Sequence, residues 1–392
     1  MDKIKFIDLF AGIGGFHIAV SELGGECVFA SEIDKYCLET YQKNFGIDAN
    51  HDVTNIKPED LPYYNMLCAG FPCQTFSKAG DQKGFGDTRG TLFFDIQRLL
   101  KYRIDIGDPV KYIVLENVRN LVSHDRGRTW KIIKNALLEL GYVLTKEPII
   151  MSPHQIGIPQ LRERVFILGI HNKYYNDVYL DINVPNNSYH LRNGTNALDI
   201  LDSGEVDKKY YISEYEEMVL TAWDEFIKGI NQKVIGFPIW SYEFGKDYSL
   251  DGIPKWKQDF IIKNRKLYED NKPFIDSWLV KYNYLDDFIP THQKFEWQAG
   301  EDINSIWEGI IQFRPSGIRV KRPTEFPALV AMVHIPIIGK YKRRLTPREV
   351  ARLQSFPETF IPHENDQQAY KQFGNSVNID VVKYLVSKLL QY

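Results

Sequence analysis

The stretch "FIDLFAGIGGF", Phe6 to Phe16, is an apolar run that breaks into Gly12, Gly14 and Gly15 and then into a helical pattern. Glycines let a backbone turn tightly and approach a ligand closely, with a helix N-terminus just beyond. The spacing lacks the full G-x-G-x-x-G of a dinucleotide fingerprint, so a bare strand–turn–helix remains an alternative. Glu32 follows the next apolar run, "ECVFAS", twenty residues after Gly12. A carboxylate there can accept hydrogen bonds from a ribose, which favours an adenosine-containing cofactor. Asp52, in "HDVTN", stands where a third strand would end.

Working outward, short apolar segments ("KFIDLF", "ECVFAS", "NMLCAG", "KYIVLE", "RVFILGI") alternate with helical patterns near 34–44, 91–102 and 128–140. That rhythm predicts an α/β fold, a Rossmann-like and largely parallel sheet with helices on both faces. From about residue 173 to 318 the chain turns aromatic and polar, and six of its seven tryptophans fall there. This reads as a second domain or large insertion, with most of the aromatics in a core. The last stretch, "NIDVVKYLVSKLLQY", is an amphipathic helix suited to packing on a sheet.

The bulk numbers exclude little. A chain of 392 residues with 44% hydrophobic and 25% charged residues is ordinary for a folded protein of one or two domains. No apolar run approaches the roughly 18 residues that span a bilayer, and the first residues carry no apolar leader. Four cysteines, Cys27, Cys37, Cys68 and Cys73, read as reduced thiols of a cytoplasmic protein. The net charge of −3 argues weakly against nucleic acid. Yet Arg314 to Arg352 carries ten Lys and Arg against Glu325 and Glu349, a local balance of +8. Such a run is a solvated face or a phosphate-binding one.

The chemistry gathers around "LCAGFPCQTFSKAG", Leu67 to Gly80. Cys73 follows Pro72, which ends the strand, so it belongs to a loop at the carboxyl end of the sheet, where open α/β folds bind ligands. Its spacing to Cys68 fits no common zinc pattern. An inert thiol and a nucleophile remain. "VLENV" brings Glu116 to another strand end, where a carboxylate caps, pairs or donates a proton. "PQLRERVFIL" places Gln160, Arg162 and Arg164 at alternate positions, so the three share one face. Arginines so arranged pair at a surface or orient a polar substrate.

Taken in order, "DLFAGIGGF", "ASEID", "GFPCQTFS", "RGTLFFDI", "LENVRNL", "IPQLRERVFILG", "RRLTPREVARLQSFP" and "QFGNSV" resemble the motifs of the DNA (cytosine-5)-methyltransferases of bacterial restriction-modification systems. The match covers roughly the first 170 and last 50 residues. It implies an S-adenosylmethionine-dependent enzyme acting on duplex DNA. Cys73 would add to C6 of cytosine, Glu116 would bond the N3/N4 edge, Arg164 would meet O2, and Arg162 would support the site. Phe10, Gly12, Gly14, Glu32, Ile33, Asp52, Pro72 and Asn375 would contact the cofactor. The target base must be flipped out of the duplex, and "KAGDQKGFGDTRG" (Lys78 to Gly90) would close over it.

The implied organisation is a catalytic domain over 1–172, a target-recognition domain over 173–318, a hinge and DNA-backbone-facing segment over 319–364, and a C-terminal helix over 365–392 completing the catalytic domain. The resemblance also implies a monomer, with a cognate restriction endonuclease as a functional partner. Two alternatives stand beside it. One branch of the family methylates tRNA, although the large middle segment suits a reader of duplex sequence. A nicotinamide-dependent oxidoreductase would use Gly12 and Glu32 but leaves Cys73, Glu116 and Arg164 without a joint role.

Overall fold

A computed structural model describes residues 3–72, 92–185, 196–231, 236–329 and 334–392. Two compact units divide the chain. The first comprises 1–195, 328–331 and 350–392; the second comprises 196–327 and 332–349. The boundary therefore falls at 195/196 instead of 172/173, and the expected hinge segment 319–364 is shared between the units. The reason is local: after the last long strand the chain still runs along the first unit, where Asp181 and Asn183 accept hydrogen bonds from Tyr392 and Tyr384.

The first unit is built on a seven-stranded sheet. Its strands are β1 (Lys5–Leu9), β2 (Glu26–Ser31), β3 (Met66–Gly70), β4 (Tyr112–Val118), β5 (Tyr142–Leu144), β6 (Ile149–Met151) and β7 (Arg164–His171). The order is β2-β1-β3-β4-β7-β5, with β6 also pairing β7. β2, β1, β3 and β4 are parallel, as the alternation with helices requires. The segment "RVFILGI" departs from expectation. β7 runs antiparallel to β4, and β5 and β6 run antiparallel to β7; the helix Arg128–Glu139 lies between β4 and β5, but no α-helix separates β5, β6 and β7 from one another.

Alternation along β1 divides its two faces. Ile7 and Leu9 join a core with α3 (Phe93–Asp105) and α4 (Arg128–Glu139). Phe6 and Asp8 face the other way, where Phe6 meets His17 of α1 (Gly15–Ser21) edge-on. That second face is finished from the far end of the chain, since α1 packs against the helix Ile379–Leu389. Gly15 allows the approach: a Cβ there would lie 2.6 Å from Val377 Cγ2. β1 is flanked by β2 on one side and β3 on the other, so the chain reverses its direction of winding beside β1. Open α/β sheets bind ligands at such a point.

The second unit carries a six-stranded sheet of β8 (Ile239–Trp240), β9 (Lys294–Gln298), β10 (Ile310–Arg314), β11 (Gly317–Lys321), β12 (Ile337–Ile338) and β13 (Arg343–Arg344), in the order β13-β12-β10-β11-β9-β8. Three helices, α5 (Glu214–Gly229), α6 (Lys255–Asp270) and α7 (Lys272–Lys281), share a core with one sheet face. Phe295, Trp297, Ile311, Ile318 and Val320 supply that face, packed with Trp223 and Trp278. Half of the segment's six tryptophans are thus core; Trp256 is 61% exposed. Among the described residues, no helix is long and apolar enough to cross a membrane.

Candidate active site

A cavity of about 490 Å³ opens at the carboxyl ends of β1 to β4. Its wall is assembled from four strand ends and the segment 374–377. Phe10, Gly12, Glu32, Ile33, Asp52, Pro72, Glu116, Arg164 and Asn375 all line it, so nine of the sequence-derived positions converge. Asn117, next to Glu116 in "VLENV", lines it too, as do Ala11, His51 and Ser376, which had not been singled out.

The turn after β1 is forced into the left-handed region at Phe10 (φ 56°), Gly12 (φ 57°) and Gly14 (φ 85°). Only glycine adopts this freely, and strain at a residue such as Phe10 persists where surrounding structure fixes it. Glu32 does part of the fixing. Its carboxylate accepts from the Gly12 N–H at 2.8 Å, Ile33 N–H at 2.7 Å and Asp34 N–H at 2.8 Å. The acid expected to hold a ribose therefore also clamps the glycine turn.

Gly14 is hemmed in by its neighbours. It precedes α1 directly, and a Cβ there would fall 2.3 Å from the ring of Phe45. Its small size serves packing against α2 (Lys35–Phe45), and it does not line the cavity. Gly12 is the reverse case: an added Cβ would meet no atom within 4 Å. Asp52 does not end a strand. Asn50 makes an isolated bridge to Glu32, and Asp52 caps the turn Val53–Asn55, accepting from Thr54 N–H at 2.9 Å through Oδ1.

At the other end of the cavity stands a buried ion pair. Arg164 Nε lies 3.1 Å from Glu116 Oε1. Burial raises the Glu116 pKa from its ordinary value, against the opposing pull of Arg164 and then Arg162. Gly70 packs beside this carboxylate, where an added Cβ would stand at ordinary contact distance, 3.5 Å, from Glu116 Oε2. Asn117, beside it, donates from Nδ2 to the Phe71 carbonyl at 2.7 Å and accepts from the Val118 N–H at 2.8 Å. It thereby fixes the backbone leading to Pro72. Cys73, and the segment Lys78 to Gly90, lie outside the described residues.

Arg162 does not line the cavity. Its guanidinium is buried and donates to the carbonyls of Gly374 at 2.7 Å and Ser376 at 2.6 Å. Burial and the neighbouring Arg164 pull its pKa down to about 9. It holds the cavity wall formed by 374–377, which makes it a positioning residue.

The basic run 314–352 is laced with internal ion pairs. Arg314 and Arg319 pair with Glu296, Arg322 with Asp302, Lys342 with Glu217, Arg343 with Glu349, Arg344 with Glu216 and Arg352 with Glu358. Most of its charge is neutralised within the protein.

With this geometry in view, comparison with known proteins is decisive. Residues 4–391 match the family of C-5 cytosine-specific DNA methylases. The chain belongs to that family. It is 32% identical to the type II methyltransferase M.AluI of Cellulosimicrobium cellulans, over 98% of this chain and 91% of that one. It is 36% identical to M.HpaII of Haemophilus parainfluenzae, over 100% of this chain and 90% of that one. A crystal structure of a Dnmt2 methyltransferase from S. pombe shares the fold, with a TM-score of 0.56, 21% identity and 99% of each chain covered.

The chain is a DNA cytosine-5 methyltransferase, and S-adenosylmethionine is its methyl donor. The family match supports DNA over RNA and removes the nicotinamide alternative. The cavity fits the cofactor. Its volume lies in the range of small-molecule sites, open space adjoins Gly12, and Glu32 lines it as an acceptor for hydroxyl groups. Among the described residues no cluster of His, Cys, Asp or Glu is arranged to hold a metal ion.

Proposed function

We propose that this chain methylates C5 of cytosine within a specific duplex sequence, through covalent addition of Cys73, and protects DNA in a restriction-modification system. The observation that carries the reading is that Glu116 and Arg164 stand in the same cavity as Glu32 and Asp52, with Pro72, the neighbour of Cys73, on its wall.

C5 of cytosine is too poor a nucleophile to take a methyl group unaided. The Cys73 thiolate adds to C6, forming an S–C bond and displacing the 5,6 double-bond electrons toward N3. Glu116 gives a proton to N3 and bonds the exocyclic amine. Arg164, held by Glu116, meets O2. Bound S-adenosylmethionine supplies a methyl group on a sulfonium. C5 would take that methyl as the sulfonium S–CH₃ bond breaks and the thioether leaves; N3 returns its proton to Glu116, C5 loses its proton to a base, and the S–C6 bond breaks to restore the Cys73 thiolate and leave 5-methylcytosine. Glu32 would hold the ribose diol, Asp52 the adenine amine, and Phe10, Ile33 and Asn375 the remaining cofactor surface.

The second unit is the reader of DNA sequence in this proposal, and the first the catalyst. The enzyme acts as a monomer in the cytoplasm, with a cognate endonuclease as its functional counterpart. The relatives' descriptions as type II methyltransferases support that role.

The test uses duplex DNA carrying 5-fluorocytosine at random positions, with S-adenosylmethionine and either the wild type or Cys73→Ser. Fluorine cannot leave as a proton does, so the adduct accumulates. A denaturation-resistant, cofactor-dependent complex with wild type alone is expected, and sequencing the trapped DNA gives the site. No adduct, with cofactor and DNA binding intact, would remove Cys73 as nucleophile.

A further inference from the structure

One side of α2 is joined to the last part of the chain by polar contacts. Asn44 donates to the Ile361 carbonyl at 2.9 Å and accepts from the Ile361 N–H at 2.8 Å. Lys43 pairs with Glu364 at 3.0 Å. Nearer the cavity the helix Asp366–Asn375 takes over. Its Gln372 is buried, donates from Nε2 to the Tyr36 carbonyl at 2.8 Å and accepts from the Thr40 hydroxyl at 3.1 Å. Beside it, Lys371 Nζ lies 3.0 Å from Asp34 Oδ2. Gln372 thus fixes the register of this helix on α2, which sets the reach of Lys371 to Asp34 in advance.

Asp34 stands between that contact and the cofactor cavity. Its Oδ1 accepts from the Tyr36 N–H at 3.0 Å and the Cys37 N–H at 3.3 Å, capping α2. Its own N–H donates to Glu32 Oε1 at 2.8 Å, while Glu32 Oε2 holds the Gly12 N–H. A continuous chain runs from Lys371 through Asp34 and Glu32 to Gly12. The last three line the cavity, and Lys371 stands behind them. The hydrogen bond to Asp34 raises the Lys371 pKa, so the ammonium stays charged across the neutral range.

A capping carboxylate turns about one torsion. With Oδ2 held by an ammonium, Oδ1 stays on the two helix amides, and Asp34 keeps the extended backbone that aims its N–H at Glu32. Groups that hold a ligand are oriented by the hydrogen bonds made to them from outside the site. We infer that Lys371 is a positioning residue for the cofactor: through Asp34 it orients the Glu32 carboxylate toward the ribose. The inference rests on the assignment of Glu32 to the ribose above and adds the residue that aims it.

The experiment titrates S-adenosylmethionine and S-adenosylhomocysteine calorimetrically into the full chain. Wild type is compared with Lys371→Met, Lys371→Arg, Asp34→Asn (asparagine still caps a helix), the double variant Asp34→Asn with Lys371→Met, Glu32→Gln and Lys43→Met. Thermal melting and methyl transfer to unmethylated plasmid are recorded for each. Lys43 is the control: its ion pair joins the same two segments, its side chain is 44% exposed like that of Lys371, and neither it nor Glu364 lines the cavity. Exposed ion pairs contribute little to stability, so Lys371→Met should melt as wild type does. Its cofactor affinity should fall about three- to fivefold. The loss should be equal for the two ligands, which share the nucleoside and differ at the sulfonium. KM for S-adenosylmethionine should rise with kcat unchanged, Lys371→Arg should restore both, and Lys371→Met should add nothing to Asp34→Asn. An equal loss in Lys43→Met would assign the effect to the whole seam, and a loss for one ligand alone would assign it to charge at the sulfonium. Either overturns the inference, as does full affinity in Lys371→Met while Glu32→Gln binds weakly. Full affinity in Glu32→Gln would instead remove the ribose assignment, and the inference with it.

Discussion

Arg162 and Gly374, 212 residues apart in sequence, are joined by a 2.7 Å hydrogen bond from Nη1 to the carbonyl, and Nη2 makes a 2.6 Å bond to Ser376. The segment they hold, 374–377, forms part of the cavity wall. Removing a buried charged donor leaves those carbonyls without partners, a cost of about 3–5 kcal/mol. Arg162→Met should therefore lower the melting temperature and weaken S-adenosylmethionine binding about tenfold by calorimetric titration. Arg162→Lys offers one ammonium in place of a fork, so it should recover part of the melting temperature and less of the affinity. A lowered melting temperature with unchanged cofactor affinity would make Arg162 a structural residue alone.

Glu32 makes a different prediction, because it serves the turn and the ligand with one carboxylate. Three backbone N–H groups already donate to it. In Glu32→Gln one oxygen becomes an NH₂ that must face an N–H donor, so the Gly12 turn loses an acceptor as the ribose loses an anion. Hydrogen bonds to charged groups contribute about 1.5–3 kcal/mol each. Cofactor affinity should fall by about one to two orders of magnitude, with DNA binding preserved. Equal losses of both would point to disruption of the whole unit.

These two residues also mark what a sequence exposes and what it hides. Glu32 was legible because its reach is local: a glycine turn, one helix and one strand place it beside Gly12. Phe10, Asp52, Glu116 and Arg164 were legible as strand-end residues or through the family's motifs, and all line the cavity. Arg162 shared a face with Gln160 and Arg164 by alternation, yet its partners come from the far end of the chain. The size limit at Gly14 is set by the ring of Phe45, thirty-one positions on. The acids that pair with the basic run were hidden for the same reason, since Glu216, Glu217, Glu296 and Asp302 come from elsewhere in the second unit. Strands of three residues such as β5 and β6 carry no period to read.

His17 on α1 supplies a test of stability against acid. Its Nδ1 is 2.7 Å from the Tyr41 hydroxyl, and its ring stacks on Phe45 at 4.0 Å. Burial pushes its pKa from 6.5 down to about 4. The folded state thus holds His17 neutral where the unfolded chain protonates it. The stability so gained is present above pH 6.5 and lost as pH falls toward 4, at most about 3 kcal/mol. His17→Phe should flatten that fall in denaturant titrations between these pH values. An unaltered pH profile would mean that other groups carry the acid sensitivity.

Glu116 gives the opposite sign. Its pKa is raised, with burial outweighing the attraction of Arg164 and Arg162. The folded state therefore binds this proton more tightly than the unfolded chain does. Glu116 contributes stability below the ordinary glutamate range of about 4.5, and loses it as pH rises through the folded value. Glu116→Gln has no proton to lose at this position, so the variant's melting temperature should gain on wild type as pH is raised from 4.5 to 7.5. Activity should move the other way at every pH. A glutamine amide cannot deliver a proton to N3, and methyl transfer should fall at least a hundredfold while S-adenosylmethionine still binds. If the melting difference shrinks with rising pH, attraction to Arg164 outweighs burial and Glu116 enters the reaction as a carboxylate. If it grows while methylation drops, the same desolvation that strains the fold is what keeps the proton available to the base.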